Sequence, residues 1–216
     1  MTPDGDALLP FPYLSSKSLN LRQGEVLEGL IEFRPIMSSG QKLEAKQVVD
    51  LLPIDHKYAI IVSQDCDLEG DYKARYTKEV PEDKLLAHVL FCDLFAENEI
   101  RARSKLGSDL FKRVRQNQDE RYHRLDRAPI GDTGQFLPDL YADFKLTFSL
   151  PVDLVYWLTS SSQANRKGYL PSPHLEDFMH RLYSFLGRVA VPKLEENKKS
   201  TIAPRDSSLS KGLTSP

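Results

Sequence analysis

The sequence predicts an α+β protein: a small, strongly bent, mostly antiparallel β-barrel or sheet, with an inserted basic helix and a C-terminal amphipathic helix packed on it. Two observations predict this class. Apolar, β-branched runs of strand length recur through the first 160 residues. One later stretch instead repeats its apolar residues at three- and four-residue spacing, which is typical of a helix docked on a core.

Six segments have the composition of strands. The first, residues 24–33, ends at Pro35 because proline cannot donate to a strand ladder. The strongest, residues 58–62, is apolar and β-branched and should be buried. The apolar run 85–95 fits either a strand or a buried helix, and we favour a strand. Shorter candidates lie at residues 48–52, 141–150 and 153–159.

Two segments have the pattern of helices. Residues 104–118 combine helix-forming residues with one apolar stripe, although Gly107 weakens the prediction. The second helix begins with Ser172 as N-cap and Pro173 in the first helical position, and its apolar repeat continues until Pro192. We therefore expect this helix to cover the sheet.

Composition places limits on domain organisation and location. We expect a flexible N-terminal arm (residues 1–20), a single α+β domain (21–192) and a disordered, charged tail (193–216). The chain has two cysteines, an acidic start and no apolar run near the roughly 20 residues of a membrane helix. These features favour a cytoplasmic protein without a membrane partner.

A basic segment stands out against a net charge of −2. Between Arg101 and Arg127, nine lysines and arginines face four acids, which gives a local charge of +5. Such a segment can bind RNA or DNA phosphate, or it can be a solvated helix face. Asp143 on a following strand can orient a histidine or arginine of this segment. The candidate binding residues here are Arg113, Arg115, Arg121, Tyr122 and Asp143.

Polar residues directly follow the buried strand at 58–62. A rigid strand delivers them to a fixed place, so they form a candidate binding pocket. This pentad comprises Ser63, Gln64, Asp65, Cys66 and Asp67. Because hard cations prefer carboxylate oxygens, Asp65, Asp67 and Asp71 are also candidate Mg²⁺ ligands.

Two further hypotheses concern the cysteines. Cys66 lies between two aspartates that disfavour its thiolate, so we interpret it as a filler of the strand end rather than as a nucleophile. A zinc site formed by His56, Cys66, His88 and Cys92 requires residues 85–95 to be helical, because a strand separates His88 from Cys92 by roughly 13 Å.

Two resemblances add expectations. Gly24-Glu25-Val26-Leu27 opening a strand, with a later strand ending in Val62-Ser63, resembles the start of the PemK/MazF-like small β-barrel toxins, which cleave RNA. This resemblance spans about forty residues and implies a barrel fold. The Ser63-Gln64-Asp65-Cys66-Asp67 signature, with Arg121-x-His123-x-Leu125 and Arg188-Val189-x-x-Pro192, resembles uncharacterised bacterial proteins over about residues 22–192 and implies no activity.

These observations support two functional hypotheses. In the first, the protein is a binding module for nucleic acid or a partner protein, acting through the pentad and the basic helix in a mobile-element or phage-defence system. In the alternative, it is a nuclease-like enzyme, with Mg²⁺ as a possible cofactor. Its catalytic residues are then Asp65, Asp67, His123 and Arg124. We predict that the pentad and the Arg121–Arg124 segment share one cleft. Such convergence favours the enzyme, whereas separation of the two by the barrel favours the binding module.

Overall fold

A computed structural model describes residues 19–36, 49–77, 81–129 and 136–188. Within these ranges the chain forms helices around a mostly antiparallel sheet, which confirms the α+β class. The predicted tail and most of the predicted arm lie outside the described residues. The strands are β1 (Glu25–Pro35), β2 (Leu51–Ile61), β3 (His88–Ala96), β4 (Tyr122–Leu125), β5 (Ala128–Pro129), β6 (Phe136–Leu137), β7 (Leu140–Pro151) and β8 (Asn165–Tyr169). The helices are α1 (Asp65–Tyr76), α2 (Glu97–Ser104), α3 (Ser108–Arg115), α4 (Val152–Ser160) and α5 (His174–Leu186).

The main sheet has six strands in the order β4-β7-β3-β2-β1-β8, and each neighbouring pair is antiparallel. Its register places Ile61 opposite Phe91, and Phe91 opposite Phe148. No ladder within the described ranges joins the edge strands β4 and β8, so the predicted closure into a barrel is not confirmed. The remaining strands, β5 and β6, form a separate two-stranded sheet.

Both faces of the sheet are covered by helices. The predicted C-terminal helix is confirmed as α5, which buries Phe178, Met179 and Leu182 against one face. On the other face, α1 and α4 pack over Ile61, Phe91 and Phe148; their buried contributions are Leu68, Val152, Val155 and Leu158. The core therefore lies in two layers separated by the sheet.

The start of α5 differs slightly from the prediction. His174 is its first residue and Pro173 its N-cap, one position later than expected. The turn before β1 brings Gly24 under this helix with φ +76°, and a Cβ there would lie 2.7 Å from Leu175 Cδ1. The positive φ favours glycine at this position, and any larger residue would also require the Leu175 side chain to move.

Two segments predicted as strands have different structures. Residues 153–159 form most of α4: Val152, Val155 and Leu158 are buried at three-residue spacing, and their β-branched and aromatic neighbours masked this helical period. Leu51 and Leu52 of the predicted strand at 48–52 belong to the same strand as residues 58–61, β2. Its Pro53 pairs with Phe33 at the exposed end of the β1–β2 ribbon.

The predicted basic helix at 104–118 is interrupted. It is replaced by the end of α2 and the whole of α3, because Lys105 adopts a left-handed conformation with φ 49° and Gly107 is the N-cap of α3. Phe111 and Val114 still face inward, as the apolar stripe predicted. The break produces two short helices instead of one long one: α2, whose two arginines are balanced by two glutamates, and the basic helix α3.

Candidate functional site

The polar pentad lies where β2 passes into α1. Gln64 is the N-cap of α1, and Asp65, Cys66 and Asp67 form its first turn. The polar residues that follow the strand therefore begin a helix, which the sequence analysis did not predict. Acidic residues in the first turn and basic residues in the last turn complement the helix dipole, and this charge pattern was the signal for a helix.

Several of the polar groups in the pentad region join chain segments together. The carboxylate of Asp65 accepts a bond from the backbone N–H of Gln23 at 2.6 Å. The Ser63 hydroxyl accepts one from the backbone N–H of Leu90 at 2.9 Å. Asp71, one turn further along α1, is buried and accepts bonds from the Arg75 guanidinium and the Leu86 N–H. Asp71 is thus engaged separately from Asp65.

The described side chains do not form the metal sites that the sequence suggested. Within the described ranges, no group of three His, Cys, Asp or Glu side chains is arranged to hold a metal ion. The segment that includes His88 and Cys92 is a strand, so the helix that the zinc hypothesis requires does not form. Cys92 is buried, which raises the pKa of its thiol well above the usual value, whereas Cys66 is exposed.

His123, a predicted catalytic residue, lies in the apolar core on β4. Its ring packs edge-on against Phe178 with centroids 5.2 Å apart. Burial, together with the nearby charge of Arg181, lowers the pKa of His123 from 6.5 to about 4. A neutral, buried ring of this kind contributes to packing, and only 4% of its surface is exposed.

The pentad and the basic segment line different cavities. Ser63, Gln64 and Asp67 border a cavity of about 240 Å³ whose other wall includes Tyr183 and Leu186 of α5. Strands β3 and β7 lie between β2 and β4, so the sheet itself separates the two predicted halves of the site. The structure does not bring these halves into one cleft.

Arg121 and Asp143 form a structural ion pair. Asp143 is fully buried on β7, and its carboxylate accepts bonds from Arg121 Nε at 2.7 Å and from Nη2 at 2.5 Å. The bond to Asp143 raises the pKa of Arg121. Asp143 thus orients an arginine, as the sequence suggested, but the charge of that arginine is neutralised inside the protein.

Four other cations of the basic segment line a cavity of about 430 Å³ between α2, α3 and β4, which we call the basic hollow. None of the described residues that line it is acidic. Its lining includes two exposed cations without an ionic partner in the described chain, Lys112 and Arg115. The remaining lining residues are Arg101, Ser108, Phe111, Gln116 and Arg124.

The other two cations of the basic hollow have acidic partners outside it. The Arg124 guanidinium lies 2.9 Å from Asp126 and 3.2 Å from Asp139. Arg101 lies 3.8 Å from Glu97. Two of the four cationic charges are therefore partly compensated, and those of Lys112 and Arg115 are not.

The structure contains a second charged site, which the sequence did not predict. His56 on β2 is buried between two carboxylates: its Nδ1 lies 2.6 Å from Asp93 on β3, and its Nε2 lies 3.2 Å from Glu32 on β1. Arg34 donates two hydrogen bonds to Glu32, and these bonds lower the pKa of Glu32 and raise that of Arg34. We call these four residues the carboxylate–histidine cluster.

The surroundings of this cluster fix the His56 ring in place. The ring stacks on Phe148 with centroids 3.7 Å apart. Next to Asp93, the β3–β7 ladder shifts register between Cys92 and Leu94, an irregularity that re-aims side chains. The available sequence signal was Asp93 itself: a carboxylate inside an apolar strand requires a buried partner.

The carboxylate–histidine cluster borders the largest cavity described, about 710 Å³. Arg103 and Lys145 also line this cavity and have no ionic partner among the described residues. However, Asp55, Asp93 and Glu99 share the same walls. These carboxylates repel an anion, so the charge of this cavity is mixed, in contrast to that of the basic hollow.

Comparison with known proteins adds no functional assignment. No protein-family model matches the chain, and no curated protein sequence matches it significantly. Within the described ranges, none of the helices combines the length and the apolar character needed to cross a membrane.

Proposed function

We propose that the protein binds nucleic acid through the basic hollow. The single observation that supports this is the charge of the hollow: four cations line one cavity, and none of its described lining residues is acidic. Like charges on a surface repel one another, and a bound polyanion removes that repulsion and releases counterions from its phosphates. Lys112 and Arg115 carry the largest share of this binding.

The geometry favours binding over the nuclease alternative. That alternative needs the pentad acids next to His123, and His123 is instead buried in the core. The carboxylate of Asp65 is also already bonded to the Gln23 N–H. A role in mobile-element or phage defence stays a prediction.

The test is binding of short single-stranded RNA, single-stranded DNA and duplex DNA, measured by fluorescence anisotropy across a salt series. We expect the logarithm of affinity to fall linearly with the logarithm of salt, with a slope of about −0.7 per contacted phosphate for single strands. The double variant Lys112→Ala/Arg115→Ala should bind roughly tenfold more weakly at low salt.

A matched pair of exposed cations provides the control. Lys105 and Arg113 belong to the same basic segment but do not line the basic hollow. Arg113, a candidate binding residue from the sequence, therefore lies outside the proposed site, and its Nη2 donates to the Gln118 carbonyl at 3.3 Å. Lys105→Ala/Arg113→Ala should keep most of the affinity. If the wild-type protein binds none of the three nucleic acids even at low salt, the proposal is wrong.

A partner protein is a second candidate, at the pentad cavity. Its walls combine the polar groups of Ser63 and Gln64 with Tyr183 and Leu186, which are 51% and 53% exposed. An apolar patch rimmed by polar groups is typical of a protein contact. Leu186→Glu tests this candidate, because it should abolish capture of a specific partner and leave nucleic-acid binding unchanged.

A further inference from the structure

The shape of the basic hollow indicates which part of a nucleic acid it contacts. A duplex presents an extended line of single charges, about one per 1.7 Å of its axis, which suits an extended row of cations. Here four cationic side chains instead surround one cavity of about 430 Å³. Cavities of this volume enclose a small ligand or a single terminal group.

The charge of the basic hollow also favours one type of phosphate. A phosphodiester inside a strand carries one negative charge, whereas a phosphate monoester carries about −1.5 to −2 at pH 7 because its second pKa is near 6. Among the described residues, the two cations of the hollow that have no acidic partner are Lys112 and Arg115. They match the charge of a monoester rather than that of a diester.

The two compensated cations are held in place before any ligand binds. Arg124 Nη1 donates to the Arg115 carbonyl at 3.3 Å, and Nη2 donates to Asp139 at 3.2 Å. The Arg101 guanidinium lies over the Phe111 ring, 4.9 Å from its centroid. Because these groups are already ordered, binding costs them little conformational entropy.

Neutral donors complete the lining. Ser108 and Gln116, whose side chains carry neutral hydrogen-bond donors, line the same cavity as the four cations. A phosphate monoester presents three strong acceptor oxygens, one more than the two free oxygens of a diester, and so uses more of these donors. The charge, the shape and the number of donors of the hollow therefore all favour a phosphate monoester.

We propose that the basic hollow binds the terminal phosphate monoester of a nucleic-acid strand. This proposal rests on the proposed function and specifies which part of the nucleic acid enters the hollow. Lys112 and Arg115 neutralise the dianion, and Arg101 and Arg124 orient it. The rest of the strand leaves the cavity toward solvent.

The test compares one single-stranded sequence prepared with a 5′-phosphate, with a 3′-phosphate, or with hydroxyl groups at both ends. At moderate salt, at least one phosphorylated form should bind roughly tenfold more tightly than the hydroxyl form. Lys112→Ala/Arg115→Ala should abolish this preference. Lys105→Ala/Arg113→Ala should keep it, because neither residue lines the hollow.

Three outcomes would overturn the proposal. Equal affinity for all three forms would exclude end recognition and leave the proposed nucleic-acid binding intact. Displacement of the phosphorylated strand by an equal concentration of inorganic phosphate would identify a site for free phosphate instead. Absence of binding to every form at low salt would overturn both the end recognition and the proposed function.

Discussion

The carboxylate–histidine cluster and the basic hollow are both rich in charge, but their charges are arranged differently. In the cluster, His56 lies between Asp93 and Glu32, and Arg34 covers Glu32 from outside. In the hollow, Lys112 and Arg115 share one cavity with two further cations. The members of the cluster are hydrogen-bonded to one another, whereas no described residue that lines the hollow is acidic.

This difference separates structural charges from ligand-binding charges. Removing one member of a buried, mutually bonded set leaves a partner desolvated and uncompensated, so stability is lost. Removing an exposed cation from a set of like charges relieves repulsion, so stability is kept and only ligand binding is lost. The predictions below test this separation.

The largest effect on stability should come from the cluster. His56→Ala leaves two carboxylates facing each other and removes the ring stacked on Phe148, so we expect a loss of roughly 3 to 5 kcal/mol in the free energy of unfolding. Lys57→Ala, at the neighbouring exposed position, should change it by less than about 0.5 kcal/mol. Chemical denaturation measures both. A His56 variant as stable as the Lys57 variant would mean that the cluster is not structural.

The next effect depends on pH. Because the pKa of His123 falls from 6.5 to about 4 on folding, the unfolded chain binds a proton between these values and the folded chain does not. His123 should therefore reduce stability by roughly 3 kcal/mol as the pH falls from 6.5 to 4. The variant His123→Phe, which keeps an aromatic ring at this position, lacks this dependence. Equal slopes of unfolding free energy against pH in both proteins would contradict the burial of a neutral ring.

A smaller effect distinguishes two arginines of the basic segment. Arg121→Ala leaves the buried carboxylate of Asp143 without its cation and should cost about 2 kcal/mol or more. Arg113→Ala removes an exposed side chain and should cost less than about 0.5 kcal/mol. Denaturation midpoints at equal salt compare the two variants. Equal losses of stability in the two variants would contradict the claim that Arg121 is a structural charge and Arg113 is not.

Hydrophobic periodicity predicted much of the fold. The α+β class, the buried end of β2 and the helix α5 follow from clear apolar runs or repeats. The strand β3 was favoured correctly, although its apolar run also fitted a buried helix. The helix α4 was missed because nine residues rich in valine and aromatic side chains satisfy both periods. The helix α1 was missed because its polar face dominates the sequence, and only Leu68 and Asp71 are buried.

The candidate sites were harder to predict, because they depend on which charges meet in space. Arg115 and Arg121 are similar in sequence context, yet Arg115 has no ionic partner among the described residues and Arg121 is bonded to Asp143, 22 residues away. The same limit applies to Asp93 and His56, which lie on neighbouring strands but 37 residues apart. Composition identified the basic segment. Only the contacts in the folded structure show which of its cations are paired with a carboxylate.

The central claim is that the basic hollow binds a ligand and does not stabilise the fold. Denaturation of the wild type and of Lys112→Ala/Arg115→Ala, with and without a 5′-phosphorylated and a 3′-phosphorylated single strand, tests it directly. Without the strands, the two free energies of unfolding should agree within about 0.5 kcal/mol. A strand at a hundred times the wild-type dissociation constant should stabilise the wild type by about 2.7 kcal/mol, and the tenfold weaker variant by about 1.4 kcal/mol. Equal stabilisation of both proteins, or a variant that is already destabilised without the strands, would contradict the account.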